Sequence, residues 1–378
     1  LTSFCPKKES VNHKLGAFLV SHSEEIDFVV LWVDGADESW RKKQRLYKKE
    51  YIAANRILSE IPEAANDIRY IELGTLRYLL RSIETFCPWY RYIHLVVDGQ
   101  TPEWLDINHD KIRIVDHKEI FKDPKDLPTF NCHAIHVNLH NIPGLAERFI
   151  LCDDDFLILK STDPSFFFKG GKPVDFFRTF RPMQPPRTIF EMNFYQNMLY
   201  MRAYRRFGWM LQLFRFGSNG RLYLGNGKSL LLGGFRLQLL KYSHFCQPYL
   251  KSTWLKAWDK FGETMRAVSA SKFREPWHIT QYLFRGIQLL DGDFVPCREP
   301  RGCMVALQNQ PLEENEQVIM RMINSGYSLG CITESMQLNI KEMSQELREA
   351  VDRSMSKCLP FSASFELNND QKNQSEVG

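Results

Sequence analysis

Three adjacent aspartates, Asp153-Asp154-Asp155, close an otherwise apolar run that begins at Arg148 (RFILC). Like charges side by side repel, so a fold carries such a triplet where a cation or surrounding donors compensate it. Hard carboxylate oxygens at a strand end suit Mg²⁺ or Mn²⁺ bound together with a diphosphate. Read alone, the triplet serves equally well as a solvated turn. His133, His136 and His140 fall at i, i+3 and i+7 of an expected helix, on one face. Without an H-E-x-x-H pattern that face reads as a hydrogen-bonding surface before it reads as a zinc site. Gly225-Asn226-Gly227-Lys228-Ser229 imitates the end of a phosphate-binding loop, but Leu222 stands where that motif needs glycine. A plain turn is favoured there, with Lys228 as a candidate phosphate contact. His244 and Arg274, thirty residues apart, are unremarkable one at a time. Asp27, one residue into the apolar run Ile26 to Val33 (IDFVVLWV), reads alone as a strand-edge carboxylate.

These residues need elements to position them. Ile26 to Val33 is apolar and β-branched enough for a buried strand, and it runs into Asp34-Gly35. Ser39 to Tyr51 predicts a solvated helix. Leu73, Leu76, Leu79, Leu80, Ile83 and Phe86 predict an amphipathic helix over Glu72 to Phe86, stopped before Pro88. Strands are expected at Tyr92 to Val97, Ile112 to Val115 and Arg148 to Cys152, with a helix over Ala134 to Leu145. Strands alternating with helices predict an α/β fold with a mainly parallel sheet. Ligands of such sheets bind beyond the carboxyl ends of the strands, where Asp34 and the three aspartates sit.

From Pro164 the texture changes to aromatic and Arg-rich segments, then glycines, then a helical last third with helices expected at Trp254 to Val268, Trp277 to Leu290, Leu312 to Ser325 and Ile340 to Met355. The expected organisation is an extension over 1–25, an α/β core over 26–163, a mostly helical second part over 164–361 and a flexible polar tail over 362–378. Met198 to Phe216 mixes arginines with aromatics and leucines. A core helix whose arginines face a substrate groove is favoured over a membrane-interface segment, the alternative.

The 378 residues carry 49 Lys and Arg against 45 Asp and Glu, too mild a bias for nucleic-acid binding. Locally the balance differs: seven arginines lie between Arg178 and Arg215 against one acid, Glu191. Nine scattered cysteines without a C-x-x-C pair support neither a zinc site nor a disulfide framework, and fit thiols in a reducing cytoplasm. No signal peptide and no run of 18 apolar residues is found, so a cytoplasmic protein is expected, at most peripheral at the inner face of the membrane.

Three blocks read together are more specific: IDFVVLWVDGAD (26–37), ELGTLRYLLRSIETFCPWYRYIHLVVDGQTPEWL (72–105) and LPTFNCHAIHVNLHNIPGLAERFILCDDDF (127–156). They resemble the first two conserved regions of the Stealth family. That family includes bacterial capsular polysaccharide phosphotransferases and the animal N-acetylglucosamine-1-phosphotransferase that marks lysosomal enzymes. The resemblance is dense over Ile26 to Lys160, and later rests on His244 and the neighbourhood of Arg274. The chain departs from the family at Thr75, His136 and Asp153, where relatives usually carry Glu, Glu and Asn.

The resemblance implies a fold similar to nucleotide-sugar transferase (GT-A-like) sheets. It implies transfer of a sugar-1-phosphate from a nucleotide-diphosphosugar to a hydroxyl of an oligosaccharide or polysaccharide, in capsule or exopolysaccharide synthesis, with Mg²⁺ or Mn²⁺ required. Asp27, Asp155, His244 and Arg274 are then the expected catalytic residues, and Asp154 and Asp155 the metal ligands. Asp34, Arg81, Asn131, His133 and Lys228 are expected at the substrates. His244 is the candidate general base, with Asp27 either orienting it or acting in its place. The rival readings are a metal-dependent glycosyltransferase and a non-catalytic glycan-binding protein.

Overall fold

Every residue of Ile26–Leu31 (β1) is buried, because helices cover both faces of the sheet it belongs to. Phe28 and Val30 pack against Leu76, Leu79 and Ile83, whereas Val29 and Leu31 meet the opposite layer around Val137, Leu151 and Trp254. The computed structural model describes residues 25–54, 70–205, 207–214, 220–298, 301–334 and 340–367. The expected extension therefore lies outside the described residues except for Glu25, as does the chain beyond 367.

Charged α1 (Glu38–Ala54) follows β1 and buries only Trp40 and Gln44. Helix α2 (Thr75–Phe86) starts three residues later than its periodicity predicts. Gly74 precedes it at φ +80°, a left-handed conformation that glycine adopts without strain. Strands β2 (Ile93–Val97), β3 (Ile112–Asp116) and β4 (Arg148–Asp153) join β1 in parallel. Short helix α3 (Cys132–Asn138) precedes β4 and passes into a 3-10 turn over Leu139–Asn141, earlier than the expected end at Leu145.

The sheet is not confined to the first 163 residues. A later segment, Gln247–Leu250 (β6), pairs antiparallel with β4, giving the order β6-β4-β1-β2-β3. Pro248 is tolerated because β6 is an edge strand, where a missing N–H costs no ladder bond. Between them, β5 (Phe156–Ile158) leaves the main sheet and pairs with β8 (Leu329–Glu334), which lies parallel to β7 (Gly302–Leu307). The fold is mixed α/β with a mainly parallel sheet.

Helices α4 (Ile189–Tyr204), α5 (Trp209–Leu213), α6 (Gly220–Leu232), α7 (Lys251–Ser269) and α8 (Gln281–Asp291) cover one face. Trp254 and Trp258 of α7 donate their indole N–H groups to the carbonyls of His136 and Val137, which fixes α7 on α3. Helices α9 (Leu312–Ile323) and α10 (Ile340–Cys358) close the smaller sheet. The expectation of a flexible tail from 362 is corrected. Phe365 is fully buried, Asp106 N–H donates to its carbonyl, and Glu366 pairs with Arg81, so the chain is held down through residue 367.

Candidate active site

From β1 the chain crosses to β2 on one side, while β4 lies on the other, so the crevice between their carboxyl ends is a topological switch point. A cavity of about 350 Å³ lies there. Trp32 and Val33 line it from β1, and Asp153, Asp154 and Asp155 from the turn after β4. Asn131, His133 and His136 reach it from the start of α3, His244 from the loop before β6, and Arg274 and Tyr282 from the stretch leading into α8. Residues from 31 to 333 of the sequence thus converge on one space.

His244 is held against Phe156, ring centroids 4.8 Å apart and edge to face, with the Tyr282 hydroxyl 3.5 Å from its Nδ1. Burial lowers its pKa below the usual histidine value; the Asp153 carboxylate opposes that shift and the Arg274 guanidinium adds to it. The imidazole is therefore neutral at neutral pH, the form a general base needs. Arg274 makes no hydrogen bond or ion pair to protein among the described residues. A guanidinium left without a carboxylate partner at a cavity wall is suited to bidentate contact with phosphate.

The acidic turn carries the residues expected to hold a cation. Asp155, His244 and Cys331 present a carboxylate oxygen, a ring nitrogen and a sulfur within 4.8 Å of one another, and Cys331 Sγ lies 3.3 Å from Asp155 Oδ2 as a donor. Asp153 and Asp154 line the same cavity but are not part of that group; a hard divalent cation would need their oxygens beside that of Asp155. The thiol would suit a softer ion.

The histidine face does not form a metal site. Among the described residues no metal-sized cluster includes His133, His136 or His140. The helix ends at Asn138, and His140 turns away to pack on Trp258, 5.5 Å between centroids with the rings tilted. Burial pushes His136 down to about 4 and His278 to about 3, so both stay neutral. Asn131 caps α3 by accepting from His133 N–H at 3.1 Å, and its amide lies 3.3 Å from His278 Nδ1. Asn131 and His133 thus line the cavity, and Asn131 also caps the helix at its edge.

Four expected site residues lie elsewhere. Asp27 is fully buried near the amino end of β1, opposite Phe149, whereas Leu31 lies opposite Asp153. Four residues along a strand is about 13 Å. Arg91 donates to both Asp27 oxygens at 2.8 and 2.6 Å, Ala146 N–H donates at 2.8 Å, and His94 Nε2 lies at 3.1 Å. Asp27 is thus a buried, paired carboxylate at the end of β1 away from the acidic turn. Arg81 forks onto Glu366 at 2.5 and 2.8 Å and donates to Leu359 O, so it is engaged with the C-terminal segment, away from the cavity.

Lys228 is exposed on α6, away from the cavity, because the glycine segment is helical there, not a turn or loop. Neighbouring Asn226 is buried and donates to Phe177 O and Leu213 O. Asp34 accepts from Ala36 N–H at 2.8 Å and shapes the turn after β1; Trp32 and Val33 line the cavity in its place. Tyr282, His278 and Cys331 were not expected at the site. Nothing in their sequence spacing signals them, since each arrives through long-range packing.

Comparison with known proteins identifies the family of the chain. Residues 69–175 match the model of Stealth protein CR2, conserved region 2. The receptor polysaccharide phosphotransferase WefC of Streptococcus gordonii is 32% identical over 353 residues, 91% of this chain and 99% of that protein. The chain belongs to the Stealth family of polysaccharide phosphotransferases. A capsular polysaccharide phosphotransferase, WcwK of Streptococcus pneumoniae, is 30% identical over 91% of this chain and 99% of its own length. An exopolysaccharide phosphotransferase of Streptomyces coelicolor reaches 46% identity, but over 38% of this chain and only 23% of its own length. Among solved structures, the galactosyltransferase LgtC aligns with 92% of this Stealth chain and 99% of its own at 10% identity and a TM-score of 0.38.

Proposed function

We propose that this Stealth chain is a polysaccharide phosphotransferase of capsule or exopolysaccharide synthesis that moves a sugar-1-phosphate from a nucleotide-diphosphosugar to a glycan hydroxyl. The observation that carries the reading is the meeting of His244, Arg274 and the acidic turn in one cavity at the sheet's switch point. The acceptor oxygen attacks the sugar-bound phosphorus, His244 takes the acceptor proton, and the bond to the nucleoside monophosphate breaks. Arg274 binds the transferred phosphate and offsets the charge that spreads over its oxygens. Asp154 and Asp155 would hold Mg²⁺ or Mn²⁺, which when bound neutralises diphosphate charge.

A second groove, about 600 Å³, shares His244 with the cavity and is walled by Phe176, Phe180, Tyr242 and Phe245 beside Arg178 and Lys241. Aromatic faces flanked by cations suit an acceptor glycan that already carries phosphodiesters. The eight described cysteines are free thiols, which supports a reducing, cytoplasmic setting. No described helix is long and apolar enough to cross a membrane.

The test supplies purified protein with a panel of nucleotide-diphosphosugars, an oligosaccharide acceptor and Mg²⁺, and identifies the released nucleotide. Monophosphate together with a phosphodiester-linked product supports the reading; diphosphate would make the chain a glycosyltransferase, and no metal-dependent turnover would favour a binding protein. The proximity of Asp155, His244 and Cys331 favours a second role for His244, as a metal ligand. A His244→Ala variant rescued by excess metal would establish that role and remove His244 as base.

A further inference from the structure

The segment from Phe180 to Phe235 exposes apolar side chains that an ordinary soluble face covers. Helix α4 buries Phe194, Met198 and Met201 but ends at Tyr204, and Gly208, at φ +83°, starts α5 in a new direction. The favoured core-helix reading of 198–216 therefore holds only for its first turns. Phe207 is fully exposed, Leu211 is 72% exposed, and Leu231 and Phe235 are 65% and 61% exposed.

The elements that carry these side chains are tied to one another. Asn226 of α6 donates to Leu213 O at the end of α5, and Arg181, next to exposed Phe180, donates to Leu232 O at the end of α6. Cations surround them: Arg181, Arg187, Arg205, Lys228 and Arg236 are all exposed. From 178 to 241 the sequence has nine arginines and two lysines against one acid. That acid, Glu191, is occupied in capping α4, accepting from the N–H groups of Arg187 and Thr188.

We infer that this face docks on an anionic lipid bilayer, with Phe207, Leu211, Leu231 and Phe235 inserting at the headgroup boundary and the flanking arginines meeting lipid phosphates. Apolar side chains beside clustered arginines are the pattern of interfacial membrane binding. A second copy of the chain would bring the same excess of positive charge against itself, whereas an anionic surface complements it. Phe180 and Arg178 also line the groove beside His244, so docking places that groove at the bilayer surface. This last clause rests on the proposed function; the docking does not, and a vesicle assay needs no substrate.

The experiment floats the purified full chain with vesicles of phosphatidylcholine alone and of phosphatidylcholine mixed with phosphatidylglycerol. The chain is expected to float only with the anionic vesicles and to be released by high salt, which screens exposed charge. The Phe207→Asp, Leu211→Asp double variant removes apolar insertion, and Arg187→Glu, Arg236→Glu removes charge while leaving apolar surface intact. Each is expected to weaken binding at least about tenfold with an unchanged melting temperature. Absence of flotation, equal flotation with neutral vesicles, or full binding by both variants would overturn the inference. So would sedimentation showing that the wild type self-associates, and that Phe207→Asp, Leu211→Asp abolishes this, without any lipid binding.

Discussion

The two ends of strands β1 and β4 carry the same three residue types and put them to different uses. At the amino end, Asp27, Arg91 and His94 meet beside β1; at the carboxyl end, Asp153 to Asp155, Arg274 and His244 meet beyond β4. Asp27 is fully buried, and two Arg91 nitrogens, a backbone N–H and His94 lie at hydrogen-bond distance from its oxygens. A buried carboxylate so enclosed has no capacity left for a substrate. Arg274 makes no such pairing among the described residues, and it faces a cavity of substrate size. Residue type gives the chemistry a site could perform; pairing and access decide whether it does.

The sharpest way to break this comparison is to remove a charge at each end. His244→Ala and Arg274→Ala should each lower turnover by about two to four orders of magnitude, with the melting temperature unchanged. Single-turnover assays and a thermal melt on the same samples check this, and near-normal turnover would take either residue out of its role. Asp27→Ala should do the reverse. Stripping one partner from a buried pair costs about 3–5 kcal/mol of stability, read by denaturant titration, while kcat per folded molecule stays at the wild-type value.

Arg81→Ala, which leaves the largely buried Glu366 carboxylate without its forked partner, should cost about 1–3 kcal/mol and expose the segment around Phe365 to proteolysis, again with kcat preserved. A subtler difference is in acid. Burial raises the Asp27 pKa, but Arg91, His94 and Ala146 N–H outweigh it and hold the group below 3.8. A depressed folded pKa gives stability that is present above the unfolded value and lost as pH falls through the folded one. The stability gap between wild type and Asp27→Asn should therefore be constant from neutral pH to about 4 and close only below it. Smallest of all, Lys228→Ala should change stability by less than about 0.5 kcal/mol and leave turnover untouched, since the residue is exposed on α6.

Much of the sheet was legible because hydrophobic pattern is local. The runs at 26–33, 92–97, 112–115 and 148–152 became β1 to β4 with ends shifted by no more than two residues. The glycine segment at 225–229 misled because glycine raises the odds of a turn, yet α6 runs through it while Asn226, buried, ties it to residues 177 and 213. The tail misled for the opposite reason. Its polar composition reads as frayed, but Phe365 and Ala363 dock into the α2 layer and Glu366 finds Arg81, partners 285 residues away.

The sequence by itself determined the α/β alternation, the acidic turn at the end of β4 and, through its blocks, the family. It also supplied His244 and Arg274 as residues of the right chemistry. Tertiary structure alone decided which carboxylate faces a cavity. Asp27 and Asp155 both sit by apolar strands, and no local pattern says that one end of β1 is closed by Arg91 while the other opens on a cavity. Strand pairing puts β6 beside β4 and so carries His244 to the aspartates, and packing of β8 on β5 adds Cys331. Those contacts span about 90 to 180 residues of chain, and sequence periodicity, which reports only neighbours within a few residues, carries no record of them.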